Sequence, residues 1–267
     1  MKNKFLITSA LLVILMSCST VPITKRSQLN LLPESQMVAM SLTSYREFLS
    51  QNPPEPASDP DQQLVSKVGQ KISAAVVRYM AQNKMSDRVA GYKWEFNTVN
   101  NKEANAWCMP GGKIVVYTGL LPITQDEASL AFVMGHEIGH AIARHGNERM
   151  SQGLLAQTGG LALDVALQNK SAQTRALFLS AYGAGATVGA ILPFSRLHES
   201  EADKLGMIFM AMAGYDPHAG VGLWQRMSKA SGGGKPPEIL STHPSDQKRI
   251  NDINAYMPTA MKYYKKT

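Results

Sequence analysis

Cysteine is nearly missing from this 267-residue sequence, which has two, Cys18 and Cys108. Two cysteines cannot build the disulfide framework of a small secreted domain, so the fold must rest on its apolar core and on any metal it binds. Charge is sparse as well, at 18% of residues, and the net +7 is scattered apart from Lys262, Lys265 and Lys266 at the tail. No basic stripe interleaves with aromatic residues, which argues against a nucleic-acid face. A mild attraction to anionic lipid or to acidic unfolded chains is all the charge supports. There is no collagen-like period, no sustained heptad and no internal repeat. With 44% apolar residues the composition is ordinary for a globular protein, and the length suits one domain.

The N-terminus has a character of its own. Lys2 and Lys4 make a basic start, Phe5 to Leu15 a short apolar run, and Leu15-Met16-Ser17 lead into Cys18. The run is too short for an ordinary membrane span and reads as a secretory signal over residues 1–17. The residues around Cys18 resemble a bacterial lipobox, which implies cleavage before Cys18 and lipid attached to it. An uncleaved N-terminal anchor is the other reading, and both export and tether the chain. Residues 18–32 are then expected to be a lipidated polar tether, and residues 33–267 a single domain. Ser19 after Cys18 fits sorting to the outer membrane better than to the inner one. Cys108, left without an intrachain partner, reads as a buried and inert thiol.

Further along, Leu64, Val68, Ile72, Val76 and Tyr79 recur at helical spacing. Tyr92 to Val99 and Lys113 to Thr118 read as strands, separated by a turn containing Pro110-Gly111-Gly112. Thr124-Gln125-Asp126-Glu127 has capping-box form and opens a helix expected to run to about His145, with Gly146 placed to end it. Further helices are expected over Arg196 to Ala213, Pro217 to Ala230, and from Ser245 onward. The class is α+β, mostly helical, with a small sheet.

The chemistry centres on His136-Glu137-Ile138-Gly139-His140, inside the capped helix. Residues four apart share a helix face, so both imidazoles reach one ion. Glu137 lies beside the ion without binding it, where a base must stand to take a proton from an activated water. No third histidine follows at the metzincin spacing, since positions 143 and 146 are Ala143 and Gly146. His145 is out of phase with the pair and reads as a cation favouring the helix C-terminus. Glu199 and Asp203, four apart on a later predicted helix, offer a third ligand and a hydrogen-bond acceptor that orients a ligand imidazole. The bland alternative for these acids is a solvated helix face.

Together these motifs resemble zinc peptidase family 48, which includes the CAAX prenyl proteases, HtpX-like membrane proteases and envelope lipoproteins. The resemblance is carried by Asn105-Ala106, Pro110-Gly111-Gly112, Tyr117 to Leu121, the His136 to His140 motif, Glu199 to Asp203, His243-Pro244 and Arg249-Ile250. It implies a gluzincin-type core holding one Zn2+ through His136, His140 and Glu199. It also implies that Lys113 to Thr118, with Ile114 and Val116, is an edge strand along which an extended substrate lies. Asn105 either helps hold substrate and shape the cleft or is an ordinary turn residue. His243 either approaches the metal, stabilising an oxyanion or capping the site, or merely starts a helix. His198 and His218 match no role and read as surface or packing residues.

Residues 176–195 carry no charge at all and make a marginal membrane-span candidate. A single crossing would put His136 and Glu199 on opposite sides of the membrane. A two-span hairpin would bury Asp164 at a cost of ~2.5–3.5 kcal/mol. Packed helices, forming a lid or a membrane-resting surface, are the expectation. The functional expectation is a zinc endopeptidase of the bacterial envelope, facing the periplasm and acting on unfolded or misassembled polypeptides, with envelope-assembly proteins as candidate partners. The alternative is a chaperone-like or assembly module whose zinc site is closed and structural.

Overall fold

Cys18–Thr20 (β1) and Ser27–Leu29 (β2) pair antiparallel as a hairpin. The computed structural model describes residues 18–158, 174, 177, 181, 182, 195–230, 239, 240, 243 and 247–265. The hairpin is not the free polar tether that its composition suggests. Val21 is fully buried, the Leu31 amide donates to Ser151 Oγ at 2.9 Å, and Asn147 Nδ2 donates to the Leu32 carbonyl at 2.8 Å. Three of its polar side chains, Thr24, Arg26 and Gln28, bond to the buried carboxylates of Glu201 and Glu148.

Helices α1 (Glu34–Gln51) and α2 (Pro60–Gln82) follow. Asp59 caps α2 by accepting from the amides of Asp61 and Gln62, and Pro60 sits in the first turn, where its missing N–H has no intrahelical partner to lose. The expected apolar stripe holds: Val68, Ile72 and Val76 are fully buried and Tyr79 nearly so.

Strands β3 (Glu95–Val99), β4 (Ala106–Met109) and β5 (Lys113–Tyr117) stand in the order β3-β5-β4. Gly111 and Gly112, at φ +83° and +79°, make the tight turn that folds β4 antiparallel onto β5. Strand β3 then pairs parallel along the other side of β5. The strand expected at the sheet edge is therefore central. Ile114 and Val116 are 0% exposed and packed in the core, so neither lies open to a substrate. The edge strands are β3 and β4.

The remaining helices are α3 (Leu121–Thr124), α4 (Glu127–Ala143), α5 (His145–Thr158), α6 (Arg196–Met212), α7 (Ala219–Ala230) and α8 (Gln247–Ala260). Asp126, not Thr124, caps α4, accepting from the Ser129 amide at 2.7 Å. Thr124 instead closes α3, and Gln125 turns the chain at φ +67°. Every residue of α4 from Ser129 to Ala143 is buried, because α2, α6, α7 and β4 surround it. It ends at Ala143 with Arg144 in the left-handed conformation, and α5 starts at once with His145. Gly146 is thus inside the next helix and is not a terminator.

Among the described residues no helix is long and apolar enough to cross a membrane. Residues 1–17 and most of the uncharged stretch 176–195 lie outside the described residues.

Candidate metal centre

Helices α4 and α6 cross where neither has bulk. A Cβ on Gly139 would stand 2.8 Å from the Ala202 carbonyl, and one on Gly206 would stand 2.7 Å from the His136 amide. Only small residues let the backbones approach this closely, and the approach brings His136 and His140 of α4 against Glu199 and Asp203 of α6.

The donors converge with His243. His136 Nε2 is 3.0 Å from His140 Nε2 and 3.1 Å from His243 Nδ1. Glu199 lies 3.5 Å from His136 Nε2, 3.3 Å from His140 Nε2 and 2.9 Å from His243 Nδ1. Donors held tetrahedrally at zinc bonds of about 2.0–2.1 Å sit about 3.4 Å apart. The observed spacings bracket that value, all four residues are buried, and the set suits one zinc ion. His136 Nδ1 donates to Asp203 Oδ1 at 2.8 Å, which fixes the tautomer and leaves Nε2 to the metal side.

Glu137 has one carboxylate oxygen buried without a hydrogen bond among the described residues, 3.6 Å from His243 Nε2. Burial raises the Glu137 carboxyl above the ordinary carboxylate range, partly offset by the neighbouring histidines. Burial would raise Glu199 too, but His243, Arg249 and His136 together hold it well below. Such a split between adjacent carboxyls separates a proton acceptor from an anionic ligand.

Asn105 and Cys18 are not among the converged donors. Asn105 Oδ1 accepts from the Ala106 amide at 2.9 Å and its carbonyl accepts from Tyr117 N at 3.0 Å, a local turn arrangement at the head of β4. Cys18 is the first residue of β1.

His145 is not where the sequence suggests. His145 is 0% exposed and no terminal cation: burial pushes it down to about 4. It contacts His140 through Nδ1 at 2.9 Å and Glu201 through Nε2 at 3.0 Å. His198 is likewise buried, stacked on His145 with centroids 4.3 Å apart and bonded to Glu148 at 3.0 Å. A helix ending at His145 would expose its ring, whereas the immediate start of α5 folds it inward; the burial of His198 fits a packing role. His218 is exposed beside Asp216, as expected for a surface residue.

Arg249 was not assigned a role from sequence. Its guanidinium donates to both oxygens of Asp203 at 2.8 Å, reaches Glu199 at 2.6 Å and lies over the Trp224 ring at 3.8 Å. A sequence signal was present: a cation in the first turn of α8 opposes the helix dipole and needs a specific partner.

A His-Glu-x-x-His helix turn completed by a glutamate from a second helix defines the zinc-peptidase type of site. Residues 67–257 match the model of peptidase family M48, and the chain belongs to that family. It is 35% identical over 243 residues to the mitochondrial metalloendopeptidase OMA1 of Schizosaccharomyces pombe, covering 90% of this chain and 66% of that one. It is 38% identical over 190 residues to the Arabidopsis thaliana protein of the same name, covering 71% and 35%. The Beta-barrel assembly-enhancing protease of Yersinia pestis is 36% identical over 163 residues, covering 60% and 33%. The chain thus spans from about a third to just under two thirds of these relatives' lengths.

Proposed function

We propose that this protein is a zinc-dependent endopeptidase acting on unfolded or misassembled polypeptides of the bacterial cell envelope. The observation that carries the reading is the buried carboxylate oxygen of Glu137, without a hydrogen bond among the described residues, beside the converged His136, His140 and Glu199 donors. Zinc bound there would supply a Lewis acid for the scissile carbonyl and make a nearby water acidic. Glu137 takes the proton of the attacking water and returns it to the leaving amine. Asp203 keeps His136 in its ligating tautomer, and Arg249 keeps Asp203 and Glu199 anionic.

Substrate backbone pairs with β4, which lies against α4 and has no strand on its outer side among the described residues. That mode reads extended chain, which favours unfolded segments. His243 fills a fourth donor position here and must swing away before a water and a substrate carbonyl can enter. The names of the relatives, metalloendopeptidases and a protease of β-barrel assembly, support peptide hydrolysis and envelope-assembly partners. The signal-like leader and Cys18 support a periplasm-facing lipoprotein, and Ser19 favours the outer membrane over the inner.

The second reading, a closed structural zinc in a chaperone-like module, draws on the same His243 position. The test is cleavage of an unfolded reporter by the full chain, its loss on chelation and its recovery with added Zn2+. Cleavage indifferent to chelation overturns the proposal, and zinc binding without any cleavage favours the second reading.

A further inference from the structure

The N-terminal hairpin reaches the metal centre through a chain of side chains, buried from Glu201 inward, whose hydrogen-bond direction is forced. His140 presents Nε2 to the other donors, so Nδ1 must carry its proton. The acceptor in reach is His145 Nδ1 at 2.9 Å. His145 must then be protonated on Nε2, which donates to Glu201 Oε2 at 3.0 Å. Glu201, 1% exposed, is held in turn by Arg26 Nε and Nη2, both at 3.0 Å, and by Thr24 Oγ1 at 2.6 Å. Arg26 also grips Glu148 through two nitrogens at 2.7 and 2.8 Å, and Glu148 accepts from His198, the ring stacked on His145. The hairpin thus contributes the cation that fixes two carboxylates, and those carboxylates fix the rings that orient a metal ligand.

We infer that Arg26 and the β1–β2 hairpin are positioning elements of the metal centre, acting through Glu201 and His145 on the ring of His140. The inference builds on the zinc reading above. A carboxylate–imidazole pair behind a ligating histidine raises ligand basicity and locks its tautomer, and losing such a partner costs about 10–100-fold in metal affinity. In this protein the pair is completed from a segment far from the site in sequence. If Cys18 carries lipid, the attachment point is the first residue of that same hairpin, so the strut of the metal centre and the base of the anchor are one element.

The test uses the full chain with Arg26→Gln, Glu201→Gln, the two combined, and Arg26→Lys. Zinc affinity is measured by competition with a chelating dye, and thermal stability on the metal-free forms. Arg26→Gln and Glu201→Gln each weaken zinc binding by about 10-fold or more. Their combination is no worse than Glu201→Gln alone, and Arg26→Lys recovers part of the loss. The Co2+-substituted Glu201→Gln form shows an altered visible spectrum, reporting a changed ligand field. A merely structural hairpin gives lowered melting temperatures with unchanged zinc affinity and an unchanged Co2+ spectrum, and that result overturns the inference. Wild type that takes up no zinc overturns the metal reading and this inference with it, whereas equal zinc affinity in wild type and variants overturns the inference alone.

Discussion

Arg249 shows how much of this site depends on one side chain. It neutralises two buried carboxylates, Asp203 and Glu199, and its stacking on Trp224 leaves it no route to solvent. Replacing it with methionine keeps the volume and strands both charges, a class of change that costs about 3–5 kcal/mol. Denaturant unfolding of the metal-free form should show a loss of that size. A variant as stable as wild type would mean the carboxylates find protons or other partners. His243 makes a second prediction at this scale. Its Nδ1 stands among the donors, so His243→Ala should bind a hydroxamate inhibitor more tightly than wild type does. Equal affinity would show that His243 never stands in the way. The sequence made the ligands legible because each pair sits four apart on a helix. It hid Arg249, Glu201 and Glu148 because their partners come from four different segments, and no local spacing encodes that.

The crossing of α4 and α6 is the element-scale determinant of the site. Gly139, inside the metal-binding motif, is there for contact and not for flexibility: α4 is regular through that point, and the Ala202 backbone occupies the space a side chain would take. Gly139→Ala should force the helices apart at a cost of about 1–3 kcal/mol. Because the separation moves Glu199 relative to His140, zinc affinity should fall together with melting temperature. A variant that loses stability but keeps wild-type zinc affinity would separate packing from ligation and contradict this account. The existence of α2, α4 and α6 was readable from apolar periodicity and caps. The sheet order was not. Alternation marks a strand but not its neighbours: it leaves β5 free to be an edge, whereas the Gly111-Gly112 turn and the parallel pairing with β3 put it in the middle. The edges belong to β3 and β4, and the substrate pairing proposed above is assigned to β4.

At the scale of the whole molecule, the N-terminal hairpin is part of the domain and its docking is sensitive to acid. His145 is pushed by burial from 6.5 down to about 4, so the folded form binds fewer protons than the unfolded chain between those values. Burial would raise Glu201, but hydrogen bonds from His145, Arg26 and Thr24 outweigh it and lower the group from 4.5 to about 2. The two signs agree. The His145 part of the stability is intact above pH 6.5 and lost as pH falls towards 4, and the Glu201 part is intact above 4.5 and lost as pH falls towards 2. The metal-free chain should therefore melt progressively lower from pH 6.5 downward, and a Glu201→Gln form should show a smaller second phase, the remainder coming from Glu199 and Asp203, which are also held below their ordinary range. A melting temperature flat from pH 7 to pH 4 would refute the burial of a neutral His145. Composition could not reveal the docking, because a polar stretch that bonds to buried carboxylates reads like one that bonds to water.

The central claim is that Glu137 is the base of a zinc-dependent hydrolysis. The direct measurement is Glu137→Gln, assayed in one preparation for bound zinc and for cleavage of an unfolded protein. The account predicts wild-type zinc content with cleavage reduced at least about 100-fold, the scale of a lost general base. Retained zinc with undiminished cleavage would contradict it.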